Sequence, residues 1–137
     1  MPAAINRSAA RRITPALVLM LLMAASLAIV SALHLTGAVG GGAQGGAHAA
    51  GIAEAIICVA LLAGAWALVD RPNGRALARA GVLFAIAGFI LGLTITLQGG
   101  DTFDVVYHLT GLAVLLVIFA VLWPHPAPLA EVTGPVA

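Results

Sequence analysis

Four apolar stretches, each a little over 20 residues long, constrain this chain more than any other feature. They cover about residues 13–36, 47–69, 76–97 and 102–123. An α-helix rises 1.5 Å per residue, so about 20 apolar residues cross the roughly 30 Å hydrocarbon core of a bilayer. Hydrophobic residues make up 62% of the 137 residues and charged residues 8%, whereas a soluble domain has about 25% charged residues. The sequence therefore predicts an all-α membrane protein, a bundle of four transmembrane helices.

Turn-forming and capping residues separate the four stretches. The first connection, 37–46, reads GAVGGGAQGG, and the second, 70–75, reads DRPNGR, which is typical of a turn. Asp101 or Thr102 can cap the fourth helix. The first stretch is longer than the 7–15 apolar residues of a signal peptide, so we predict that it is retained as a helix.

The arginines predict the orientation of the chain in the membrane. All six (positions 7, 11, 12, 71, 75 and 79) precede the first helix or lie in or next to the connection between the second and third, and the chain has no lysine. By the positive-inside rule, the arginine side is cytoplasmic. We expect an up-down-up-down bundle in the inner (plasma) membrane. The segment 1–12 and the Pro-rich tail 124–137 would then be cytoplasmic, and the connections 37–46 and 98–102 would face outward.

Ionisable residues collect at the outer end of this predicted bundle: His34, His48, Glu54, Asp101, Asp104 and His108. Glu54 lies about 10 Å inside the second helix, where a carboxylate is costly and usually faces the bundle or a cavity. Asp104 and His108 are one turn apart, so the carboxylate can hydrogen-bond the imidazole. Thr94 and Gln98 offer polar groups at a similar depth on the third helix. We expect His34, Glu54, Asp104 and His108 to converge in one pocket.

This polar cluster has two interpretations. Imidazole nitrogens and carboxylate oxygens ligate zinc, copper and iron, which makes His34, Glu54, Asp104 and His108 candidate metal ligands, with His48 and Asp101 as further candidates. The chain contains no H-E-x-x-H, C-x-x-C or E-x-x-H motif. A haem held by two histidines is the weaker form of this interpretation, since no recognised histidine pair is present. The favoured interpretation is a belt of hydrogen bonds that holds the four helices in register.

Three functional hypotheses follow, of which the first is favoured. It is a non-enzymatic membrane protein or accessory subunit, because no nucleotide motif or nucleophile–base pair indicates a hydrolase or an energised pump. The second is a metal- or haem-binding redox module that uses the polar cluster, and the third is a small proton-coupled transporter that uses Glu54.

Expected partners are the lipid bilayer and, through small-residue faces such as Gly88 and Gly92, a second copy or a larger membrane complex. A net charge of +1 without a basic stripe argues against nucleic acid, and the single Cys58 excludes a disulfide within the chain.

Four helices with one intramembrane glutamate are similar in layout to the small multidrug resistance transporters. In that family the essential glutamate lies in the first helix, whereas Glu54 lies in the second. Many of its members also insert with little orientation bias, whereas every arginine here is on one side. Four-helix cytochrome-like and DoxX-like proteins share the size of this chain without a shared motif, so the sequence is assigned to no family.

Overall fold

The computed structural model describes residues 7–39 and 44–123, with side chains over 15–39 and 46–123. It contains the helices α1 (Arg7–Leu35), α2 (Gln44–Asp70), α3 (Gly74–Thr96) and α4 (Thr102–Leu122). Each includes a span long and apolar enough to cross a membrane, with a mean hydropathy between 2.1 and 2.6. The prediction of an all-helical protein with four helices long and apolar enough to span a membrane is confirmed. The predicted tail 124–137, residues 1–6 and residues 40–43 lie outside the described residues.

The first helix is longer than its apolar stretch. It begins at Arg7, within the predicted segment 1–12, because arginine and alanine are good helix formers outside the hydrocarbon as well as inside it. It ends in a Schellman motif, in which Gly37 has a φ of 73° and the Ala38 N–H donates to the Leu33 carbonyl at 2.9 Å. Glycine adopts this positive φ without strain. The motif places His34 in the last turn of α1.

The fourth helix begins at a side-chain cap. Asp101, one of the two predicted capping residues, accepts a hydrogen bond from the backbone N–H of Asp104 at 2.9 Å. This cap fixes the start of α4 and places Asp104 in its first turn. His34 and Asp104 thus lie at the same end of the bundle, each close to a connection.

The four helices form a closed ring, because each packs against two neighbours and α4 returns to α1. The first two run antiparallel, since Ser31 contacts Gly51 and Cys58 contacts Ala24 farther along the pair. Fully buried Met20, Leu27, Leu61, Leu115 and Ile118 are among the side chains that fill the centre. Large apolar side chains also cover the outside of all four helices, as expected for a surface in contact with lipid rather than water.

Glycines of α3 bring its backbone close to the neighbouring helices of the same chain. A Cβ added at Gly81 would lie 2.8 Å from the Ala60 carbonyl oxygen of α2. One added at Gly88 would collide with Ile57, and one added at Gly92 would collide with the His108 ring. The small-residue face that the sequence indicated on α3 therefore serves packing within the bundle.

Candidate functional site

A buried ion pair joins α1 to α2 near the end of the bundle that carries the 36–43 and 97–101 connections. His34 Nδ1 lies 2.8 Å from Glu54 Oε2, and the two residues are only 3% and 6% exposed. Side chains on a helix tilt toward its N-terminus. On antiparallel helices, His34 and Glu54 therefore lean toward each other. The prediction that Glu54 faces the bundle is confirmed.

A second contact between α1 and α2 lies one turn from this pair. The buried Ser31 hydroxyl donates to the Gly51 carbonyl oxygen at 2.7 Å. Gly51 makes this approach possible, because a Cβ there would lie 2.8 Å from Leu35 Cγ and 3.0 Å from the Ser31 carbonyl oxygen. The close backbone contact brings α1 near enough to α2 for His34 to reach Glu54.

The fourth helix adds a second carboxylate to the same imidazole. His34 Nε2 lies 3.5 Å from Oδ1 of the buried Asp104. This distance allows an ion-pair contact but is long for a hydrogen bond. Both nitrogens of His34 therefore face carboxylates, each from a different helix. We call this arrangement the Glu54–His34–Asp104 network.

Two carboxylate oxygens of the network have unused hydrogen-bonding capacity. Within the described part of the chain, the buried atoms Glu54 Oε1 and Asp104 Oδ1 have no hydrogen-bond partner. A buried polar atom without a partner costs about 1–3 kcal/mol. A group that donates a hydrogen to these oxygens would recover part of that free energy.

His108 lies beside the network and is attached to it through the main chain. Its Nδ1 is 2.7 Å from the backbone carbonyl oxygen of Asp104, so the predicted hydrogen bond to the Asp104 carboxylate is wrong. Because a carbonyl oxygen only accepts, Nδ1 of His108 carries the hydrogen. The ring packs against Phe89 at 5.4 Å and Tyr107 at 5.8 Å between centroids, and its Nε2 lies over Gly92.

The other predicted polar residues lie elsewhere. Asp101 is exposed and caps α4, and His48 is exposed on α2. Thr94 and Gln98 are also exposed, and both donate to carbonyls of their own helix segment. These two residues therefore take no part in the contacts between His34, Glu54 and Asp104. The physical reason is that α3 turns its glycines toward the bundle, which leaves Thr94 and Gln98 on its outer side.

The predicted metal site finds no support in the geometry. Across residues 7–39 and 44–123, no group of three or more His, Cys, Asp and Glu side chains could hold a metal ion. The two nitrogens of His34 point away from each other toward separate carboxylates, and His108 directs Nδ1 at a main-chain oxygen. A metal site would need nitrogen and oxygen atoms about 2.0–2.2 Å from one common point.

Two hydrogen bonds near the network were not predicted from the sequence. They are the Ser31–Gly51 bond and the bond from the Cys58 thiol to the Ala24 carbonyl oxygen at 3.2 Å. Both cross from one helix to a main-chain carbonyl of the other. The acceptors are main-chain carbonyls of glycine and alanine, which have no polar side chain that would mark them in the sequence. The only available signal was spacing: Ser31 and Gly51 each lie one turn before a residue of the network.

Comparison of the chain with protein-family models, curated proteins and solved structures found no match. A functional conclusion must therefore come from the network itself.

Proposed function

We propose that the protein is a multi-pass protein of the plasma membrane with both termini in the cytoplasm and an up-down-up-down course. The positions of the arginines support this orientation. Arg71, Arg75 and Arg79 belong to the turn between α2 and α3 and to the start of α3, and α1 begins at Arg7. The Glu54–His34–Asp104 network lies toward the opposite end, so the positive-inside rule places it near the outer face.

Single introduced cysteines test the orientation. In a Cys58→Ala background, Asn73→Cys should resist a membrane-impermeant thiol reagent added to intact cells, whereas Ala38→Cys and Gln98→Cys should react. All three positions are exposed, so folding does not hide them. Permeabilised cells provide the control, in which all three should react. Labelling of Asn73→Cys in intact cells would reverse the assignment.

We propose that the protein is non-enzymatic and that it binds and releases a proton at the Glu54–His34–Asp104 network, as a small proton-coupled transporter does. One observation carries the proposal: both nitrogens of a buried imidazole face carboxylates from two other helices. Ionisable residues in membrane spans are expensive, and those that persist there commonly serve ion or proton pathways. A purely apolar contact would join the helices at lower cost.

The network can exist in two states that differ by one proton. With both carboxylates ionised and His34 protonated, the three groups carry a net charge of −1. One further proton makes them neutral, and Glu54 Oε1, which has no hydrogen-bond partner, is a place where it can reside. The neutral form of either carboxyl can donate a hydrogen bond that the ionised form cannot. Proton binding therefore changes both the charge and the hydrogen bonding between α1, α2 and α4.

Infrared difference spectroscopy tests proton binding without knowledge of a substrate. For the protein in lipid vesicles, acidification should produce the C=O stretching band of a protonated carboxyl. The band should disappear in Glu54→Gln or Asp104→Asn, whichever residue holds the proton. Asp70→Asn, which changes an exposed carboxylate at the end of α2, should leave it unchanged.

Two results would contradict the proton site. The first is a spectrum in which neither Glu54→Gln nor Asp104→Asn alters any carboxyl band over the pH range where the protein is folded. The second is stoichiometric metal in purified protein that is lost in His34→Ala and His108→Ala, which would restore the metal interpretation. If instead the carboxyl band is found and assigned, proton uptake by vesicles that contain the protein would separate transport from binding alone.

The second candidate function is an accessory subunit in which the network only holds helices together. It is favoured by the Ser31–Gly51 bond, which serves packing and has no role in proton exchange. This candidate predicts that no carboxyl band that depends on pH is lost in Glu54→Gln or Asp104→Asn. It also predicts that Glu54→Gln, which keeps a hydrogen bond to His34, behaves as the unmodified protein does.

A further inference from the structure

A groove runs along the outer surface between α2 and α3, at the end of the bundle opposite the network. Its volume is about 520 Å³, and small residues, including Ala60, Ala63, Gly64 and Gly81, line it. Trp66 and Leu77 flank it and are more than half exposed. The groove therefore opens on the face of the bundle that contacts lipid and not on the interior.

Positive charge lies at the mouth of this groove. Arg71 lines the groove, and its guanidinium lies 4.8 Å from the centre of the Trp66 ring. Arg71 Nε lies 3.8 Å from Asp70 Oδ2, but both side chains are more than half exposed, so this pair is weak. The Arg71 guanidinium therefore remains available to an anion at the mouth of the groove.

We infer that this groove binds an anionic phospholipid. An acyl chain would lie along the small residues that line the groove, and the phosphate would lie at Arg71, whose guanidinium matches phosphate geometry. The combination of an apolar lining and a cationic mouth fits an amphiphile better than it fits the apolar face of another helix. Basic sites between transmembrane helices on the cytoplasmic side attract anionic headgroups in this way. The inference is independent of proton binding by the network.

Fluorescence of Trp66 tests the site directly. The chain has two tryptophans, so Trp123→Phe leaves Trp66 as the only tryptophan, which is excited selectively over tyrosine. The protein is placed in vesicles of phosphatidylcholine and phosphatidylglycerol, in which one lipid or the other carries bromine on its acyl chains. Brominated phosphatidylglycerol should quench Trp66 more strongly than brominated phosphatidylcholine does. Arg71→Gln should reduce this preference about fivefold, which corresponds to about 1 kcal/mol for one arginine at the surface.

Matched variants separate the groove from its surroundings. Ala63→Leu fills the groove and should reduce the preference, whereas Ala53→Leu, at an exposed position of α2 outside the groove lining, should not. Equal quenching by the two lipids, or a preference that survives both Arg71→Gln and Ala63→Leu, would overturn the inference. Weak quenching by both lipids would also overturn it, because a second copy or another segment of the chain would then cover Trp66.

Discussion

Replacement of His34 by alanine should lower the free energy of unfolding by about 3–5 kcal/mol, the cost of removing one partner from a buried ion pair. The change leaves Glu54 and Asp104 buried without the imidazole that lies between them. Unfolding of the purified protein by SDS in mixed micelles, followed by circular dichroism, would measure the loss.

Ser31→Ala provides the matched control for His34→Ala. It removes one buried hydrogen bond on the same face of α1, one turn away, without changing any charge. Hydrogen bonds between membrane helices contribute about 0.6 kcal/mol on average and up to about 1.7 kcal/mol. Ser31→Ala should therefore cost much less than His34→Ala. Equal costs would mean that the His34 contacts contribute no more than one ordinary hydrogen bond.

Gly74→Ala should destabilise the bundle by about 3 kcal/mol, at the upper end of the usual cost of overpacking. A Cβ at this position would collide with the carbonyl oxygen of Ala67, which belongs to the backbone of α2. A backbone group cannot rotate away as a side chain can, so α3 must move relative to α2. The same SDS titration would measure this change.

Gly46→Ala is the matched control for Gly74→Ala, because it is also a glycine-to-alanine change near the start of a helix. A Cβ there would meet nothing within 4 Å. Gly46→Ala should be neutral or stabilise the protein by about 0.4–1 kcal/mol, since alanine lowers the entropy of the unfolded chain. If the two variants had the same stability, close packing at Gly74 would not be important for the α2–α3 turn.

The sequence by itself determined that the chain forms four membrane-spanning helices. Four apolar stretches of bilayer length predicted four spans, because only a helix satisfies its own backbone hydrogen bonds within hydrocarbon. The adjacent capping residues Asp101 and Thr102 predicted the start of α4 to within one residue. The depth of Glu54 predicted that it faces the bundle, because an ionisable side chain in lipid is costly. Each of these conclusions depends on local chemistry and on the thickness of the membrane.

Only the tertiary structure decided which polar groups meet. The spans are apolar on nearly every side, so the periodicity of the sequence does not separate a lipid-facing side from an inward one, and Thr94 and Gln98 could not be placed. The partner of His34 depends on the rotation and register of α1, α2 and α4. Close backbone contact at Gly51 sets the register of α1 against α2. His108 bonds a carbonyl of its own helix instead of the Asp104 carboxylate, because the return of α4 to α1 brings that carboxylate to His34.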